Sequence, residues 1–262
     1  MNSSLRTSAS GMMAQQRMID VIANNLANVN TTGFKRSRVS FEDVLYETVR
    51  EARVADAQSK ETLAPVQIGK GVRISAVLRL HAQGSPETTN RPLDMSVEGE
   101  GLFQVQRPDG TVAYTRDGSF TLDASGALVT TGGYAVMPGL TLPPDASDVA
   151  VAPNGVVSAR LPGESTPTEV GRIELARFLN PAGLMAIGEN QYVATDASGE
   201  PVTGLAGEDG FGRLLQGTLE SSNVEMVQEM TDMIAAQRAY EINAKAVRAA
   251  EEMMQQSNDL LR

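Results

Sequence analysis

Proline and glycine divide this chain before any motif is read. Residues 1–30 and 218–262 contain no proline and, between them, a single glycine, Gly11. All 12 prolines lie from Pro65 to Pro201, and residues 66–217 hold 22 of the 24 glycines. Proline removes a backbone donor and clashes inside a helix, and glycine weakens one. Both ends are therefore free to form long helices, while the middle is punctuated into short strands and turns. The fold class expected is α+β: long N- and C-terminal helices pairing as a coiled-coil-like domain, with an all-β domain inserted between them. The segments expected are an N-terminal helix in 1–40, an extended arm or connector in 41–65, a β-rich domain in 66–217 and a C-terminal helix in 218–262.

In the N-terminal segment Leu5, Met12, Ile19 and Leu26 recur every seven residues, with Ser8, Gln15, Ile22 and Val29 three positions on. That is the a/d stripe of a paired helix. Ser3 or Ser4 is placed to cap its start. Its stop is rich in short polar side chains, Asn24, Asn25, Asn28, Asn30, Thr31 and Thr32, followed by Gly33 and Phe34. Gly33 suits the left-handed residue that ends a helix, which would fold Phe34 back on Val29. Three asparagines within five residues exceed what one cap needs, so two readings stand: a good helix stop, or amides that contact a neighbouring chain.

In the C-terminal segment Ser222 and Glu225 have the spacing of a capping box. The apolar series runs Val227, Met230, Ile234, shifts phase by a residue, and continues Ala235, Ala239, Ile242, Ala246, Ala249, Met253, Leu260. A helix from 223 to 260 would span on the order of 55 Å at 1.5 Å per residue. Charges complement: residues 1–40 carry five basic groups against Asp20, and residues 219–262 carry eight acidic against four basic. Nine of the 12 methionines fall in these two ends. They read as flexible core filler, or as a surface tolerating non-identical neighbours.

The middle alternates. Leu102–Arg107 puts Phe103 and Val105 on one face, Pro108-Asp109-Gly110 turns the chain, and Val112–Arg116 returns. Asn154-Gly155 marks a hairpin between Val149–Ala152 and Val156–Val157. Pro143-Pro144 and 160–170 read as loops. Residues 46–64 are polar and fit either an extended arm or a short helix.

Composition excludes several functions. The net charge of −10 opposes nucleic-acid binding. The chain has no Cys, hence no thiolate nucleophile, disulfide or Cys zinc site. It has no Trp, and no apolar run approaches a membrane span, so no membrane insertion is expected. The start of the chain lacks the apolar stretch of a cleaved signal peptide. The one His, His81, sits in an alternating segment and reads as a solvent-facing strand residue. Gly69-Lys70-Gly71 and Gly99-Glu100-Gly101 lack the context of a dinucleotide loop and read as strand breaks. Asp109, Asp117 and Asp123 fall at turns without EF-hand spacing. No catalytic residue, metal ligand or cofactor is expected.

The run Ala23-Asn24-Asn25-Leu26-Ala27-Asn28-Val29-Asn30-Thr31-Thr32-Gly33-Phe34-Lys35 resembles a signature of the bacterial flagellar rod and hook family. Gln237-Arg238-Ala239-Tyr240-Glu241-Ile242-Asn243-Ala244-Lys245-Ala246 resembles that family's other signature. Between them Gly99-Glu100-Gly101-Leu102-Phe103-Gln104-Val105, Tyr114-Thr115-Arg116-Asp117-Gly118-Ser119-Phe120 and Ile187-Gly188-Glu189-Asn190 match in order. The likeness spans essentially the whole chain, and the stretch 46–64 resembles the distal-rod branch rather than hook or proximal rod. The resemblance implies a structural subunit that polymerises with itself into a hollow shaft carrying torque. It implies as neighbours the proximal rod proteins, the hook protein and the P-ring and L-ring proteins. It implies export without a cleaved signal by the flagellar type III apparatus, to a basal body spanning the periplasm. Subunit contacts are then expected on the N-terminal helix and its stop at Leu5, Met12, Ile19, Ile22, Asn25, Leu26, Asn28, Val29, Gly33 and Phe34. On the C-terminal helix they are expected at Val227, Met230, Ile234, Gln237, Tyr240, Ile242, Ala246 and Met253. A periplasmic enzyme with helical tails would instead need a convergent polar pocket, and a β binding module on a stalk would need tails stable in the monomer.

Overall fold

The structure, a computed structural model, describes residues 2–50, 53–54, 62–63, 65–143, 145–146, 148–162 and 167–259. It is α+β, with a helix at each end and a β-rich middle. The chain forms two compact units. One gathers the two helices and the segment Ser37–Leu78; the other gathers Ala27–Arg36 and Arg79–Glu225.

In the helical unit, α1 runs Asn2–Ala27 and α2 runs Met226–Asp259. Leu260, the last position of the apolar series, lies outside the described residues. Because α1 begins at Asn2, neither Ser3 nor Ser4 stands before it as a cap. α2 likewise begins after Ser222–Glu225, so the expected capping box does not form. The Ser222 hydroxyl accepts from the Val224 N–H at 3.3 Å instead. The third member of this unit is a two-stranded antiparallel ribbon. Ser37–Asp43 pairs with Val72–Arg79, Tyr46–Arg50 with Val66–Gly69, and Arg53–Val54 with Thr62–Leu63. Of the two readings of 46–64, the described residues take the extended one; 51–52, 55–61 and 64 lie outside them. Gly71 lets the ribbon approach α1. Its φ is +116°, and a Cβ there would fall 2.2 Å from the Ser10 hydroxyl, which accepts from the Val72 N–H.

The β unit is built around Leu102–Gln106. This strand pairs with Val112–Thr115 on one side, and with Ala135–Val136 and Glu174–Arg177 on the other, in a nine-stranded sheet. The alternation read from sequence holds: Phe103 and Val105 enter a core with Met95, Val97, Phe120, Leu142, Ile173, Leu175 and Leu214. The sequence did not show that the opposite face is also covered. Leu102 and Tyr114 pack there with Ala176, Phe178, Leu184 and Tyr192. Edge-to-face ring pairs mark both layers, Phe103 on Phe120 at 5.0 Å and Tyr114 on Phe178 at 4.8 Å. Each such buried side chain contributes roughly 1.5–3 kcal/mol of transfer free energy. The Asn154-Gly155 hairpin forms, with Val151 opposite Val157. The expected loop at 160–170 is partly strand, since Thr168–Arg172 pairs with Val156–Arg160. Residues 163–166, and Pro144 of the other expected loop, lie outside the described residues.

Candidate assembly surface

Two contacts fix how α1 meets α2. A Cβ on Gly11 would stand 3.0 Å from the side chain of Asn243. The Asn25 amide donates to Glu229 Oε2 at 3.1 Å. Advancing 14 residues along α1 retreats 14 along α2, so the contacts run antiparallel. On α2 the inward positions recur every seven residues: Glu229, Ala236 and Ala250 are buried and Asn243 is half-buried. On α1 the matching buried positions are Ala14, Ile22 and Asn25. Small residues at this face permit close approach, and Asn25 and Glu229 are bonded across it.

The other side of α2 carries what the inward side lacks. Val227, Met230 and Ile234 recur at i, i+3 and i+7, the spacing of a buried stripe, yet are 73%, 51% and 58% exposed. Ile242 and Met253 are also exposed, as are Gln237 and Ala246, and Tyr240 is partly so. On α1, Leu5, Met12, Ile19 and Leu26 are half-buried. The apolar series follows the outward face, while the face toward α1 is marked by alanine, Glu229 and Asn243.

The asparagine-rich stop is bonded within the chain. Asn25 is buried; besides Glu229 it donates to the Ser37 carbonyl and accepts from the Ser37 N–H, both at 2.9 Å. Asn28 and Val29 are half-buried, and Asn28 accepts from the Thr31 hydroxyl at 3.1 Å. α1 ends at Ala27, so Gly33 does not terminate the helix as expected. With φ +67° it terminates the turn that follows. Its N–H donates to the Glu220 carbonyl at 2.7 Å, and a Cβ would meet the Asp117 backbone nitrogen at 2.7 Å. Only glycine fits so close an approach in that conformation. Phe34 beside it is buried.

In the β unit a buried charge cluster lies behind this turn. Lys35 Nζ meets Glu220 Oε1 at 2.5 Å and donates to the Ala82 carbonyl at 2.8 Å. Glu220 Oε1 also accepts from the Gly84 N–H at 2.8 Å. Glu220 Oε2 makes no hydrogen bond but faces the Arg116 guanidinium at 3.4 Å. Arg116 in turn donates to the carbonyls of Val97 and Gly99. Burial pulls the Lys35 pKa below the usual lysine value, and Glu220 opposes that shift. Asn223 closes the cluster, accepting from the Arg36 N–H at 2.7 Å and donating to the carbonyls of Leu80 and Ala82 at 2.9 Å. Segments 33–36, 80–84 and 220–223 are thus laced side by side. Lys35 and Arg116 lie in motifs visible in the sequence, but nothing local marked Glu220 or Asn223 as their partners.

His81 is not the solvent-facing strand residue expected. It follows the strand Val72–Arg79, is half-buried, and stands edge-on to Tyr192 at 5.5 Å. Burial, then the positive charges of Lys35, Arg79 and Arg116, lower its pKa to about 4. A cavity of about 440 Å³ opens beside it, bounded by Glu100, Arg116, Arg177 and Phe178. Among the described residues no group of three or more His, Asp or Glu side chains is placed to hold a metal ion. No helix among them is long and apolar enough to cross a membrane. Asp109, Asp117 and Asp123 each bond forward to a hydroxyl and N–H two residues on, as turn residues do.

Two terminal helices bracketing an inserted β domain define the class of fold, and three family models match along it in order. "Flagella basal body rod protein" matches residues 5–35. "Flagellar hook protein FlgE/F/G D1 domain" matches residues 96–159. "Flagellar basal body rod FlgEFG protein C-terminal" matches residues 215–260. The flagellar basal-body rod protein FlgG of Borreliella burgdorferi is 46% identical over 262 residues, 98% of each chain. FlgG of Caulobacter vibrioides is 46% identical over 258 residues, again 98% of each. The basal-body rod protein FlgF of the same organism is 36% identical, covering 94% of this chain and 92% of its own. The chain belongs to the flagellar hook and basal-body rod family. Within one organism it stands nearer FlgG than FlgF.

Proposed function

We infer that this chain is a structural subunit of the flagellar distal rod, joining copies of itself through its terminal helices into a stiff hollow shaft that transmits motor torque to the hook. The observation that carries this reading is the outward stripe Val227, Met230 and Ile234, apolar, helically spaced and largely exposed on a helix whose other face meets α1. A contiguous exposed apolar patch marks an interaction surface. The near-full-length likeness to FlgG proteins supplies the kind of surface.

On this reading α1 and α2 pair as a coiled-coil-like core, supported by the antiparallel contacts and the seven-residue spacing. Residues 1–40 and 218–262 form the rod core, 41–65 an arm, and 66–217 the outer domain. The outward α2 positions, together with Gln237, Tyr240, Ile242, Ala246 and Met253, meet neighbouring copies. Leu5, Met12, Ile19, Leu26 and the turn residues Asn28 and Val29 complete the contacts; Ile22, Asn25, Gly33 and Phe34, expected there too, are buried within the chain and support the surface from behind. Neighbours along and around the shaft are the proximal rod, the hook and the P- and L-rings, reached through the flagellar export apparatus. The role is mechanical rather than catalytic.

The test is Ile234→Asp. A charge buried without a partner costs several kcal/mol, so rods and hooks should be absent from basal bodies seen by electron microscopy, while the β unit melts normally. Normal rods from this variant would remove the stripe from the assembly seam.

A further inference from the structure

The methionines are distributed unlike the other apolar residues. Nine of 12 lie in the two end segments, and the chain has no Cys, so two-electron oxidation of sulfur falls to thioethers. Among them, Met226 and Met230 stand four apart on α2, hence adjacent on its surface. They are 46% and 51% exposed and share the outward face with Val227 and Ile234. The β unit supplies two internal references: Met95, 1% exposed in the core, and Met185, 54% exposed on a strand.

A thioether is flexible and apolar and fills irregular gaps between helices. Its sulfoxide is polar and chiral. At Met185 that change leaves a polar group in water. On the stripe it places a strong acceptor beside the apolar side chains of Val227 and Ile234.

We propose that Met226 and Met230 form an oxidation site that governs assembly: a peroxide reaching the free subunit converts their thioethers to sulfoxides and withdraws the stripe from polymerisation. This rests on reading the stripe as the seam between copies. In each step the sulfur lone pair attacks one peroxide oxygen. An S–O bond forms and the O–O bond breaks. Sulfur loses two electrons, and the remaining oxygen leaves as water after proton transfer. Once the stripe is buried in the polymer the same thioethers are shielded, so the site acts on subunits awaiting incorporation.

The experiment treats the purified full chain briefly with dilute hydrogen peroxide, maps oxidation by peptide mass spectrometry, and measures sedimentable polymer. Oxidation should appear at the exposed Met13, Met185, Met226, Met230 and Met253 but not at Met95, with polymer yield falling at least roughly tenfold, the scale of leaving a polar group unsatisfied. Measured against its own untreated yield, M226L/M230L should lose little polymer to peroxide, and M226Q/M230Q should polymerise poorly without treatment. Full polymer yield from chains oxidised at both positions, or equal inhibition of M226L/M230L, overturns the proposal. An untreated wild-type chain that never polymerises overturns the self-assembly reading as well, and that failure is visible before peroxide is added.

Discussion

Glu220 is the residue on which most depends. It is buried, and it faces two buried cations, Lys35 and Arg116. Removing one member of a buried ionic group leaves an uncompensated charge, at a cost of about 3–5 kcal/mol. Glu220→Gln should therefore lower the stability of the β unit by that order in urea denaturation. Lys35→Met with Glu220→Gln should cost less than the two separate losses, because the double variant removes both halves of one pair. His81 gives a pH signature with the opposite sign to a histidine held in an ion pair with a carboxylate. Its folded pKa is about 4 against the usual 6.5. Between those values the unfolded chain takes up a proton that the folded chain refuses. Stability is therefore full above about pH 6.5 and falls as pH drops toward about 4, by about 3 kcal/mol at most. His81→Gln should flatten that slope in melts across the window. Neither feature was legible locally. Nothing around Lys35 in the sequence points to its partner 185 residues away.

Elements were read better than residues, for a physical reason. Strands and turns announce themselves through dipeptides and alternation, and the Asn154-Gly155 hairpin and the Phe103/Val105 face formed as those signals dictate. The inward face of α2 escaped because Glu229, Ala236, Asn243 and Ala250 include no large apolar side chain. A search for hydrophobic periodicity therefore settles on the outward stripe. The exit of α1 escaped similarly, because Asn25 bonds forward into the strand Ser37–Asp43 and the helix ends at Ala27, ahead of Gly33. Asn25 carries that junction with two bonds to the Ser37 backbone and one to Glu229. Asn25→Ala should cost about 2–3 kcal/mol, the scale of buried partners left unmade. Urea titration would show the loss, with faster hydrogen exchange at the Ser37 amide, whose bond to Asn25 is gone.

At the scale of the whole molecule the two units are stabilised by different means. The β unit buries apolar side chains on both faces of its central strand Leu102–Gln106. The helical unit leaves Val227, Met230 and Ile234 in water, and its ribbon exposes Leu45, Tyr46, Val49 and Ile68. Ordering a residue costs about 1–2 kcal/mol of backbone entropy, and a two-stranded ribbon or a thinly packed helix pair offsets that only marginally. Local opening should therefore occur at far lower free energy in the helical unit than in the β unit. Limited proteolysis of the dilute monomer should strip both ends and the ribbon, and leave resistant Arg79–Glu225 with Ala27–Arg36 held to it. In sedimented polymer the same sites should be protected, because burying the outward stripe supplies the free energy that the monomer lacks. Equal resistance of the ends in monomer and polymer would mean that the helices are stable without neighbours. The exposed stripe would then lose its place as the driving force for assembly.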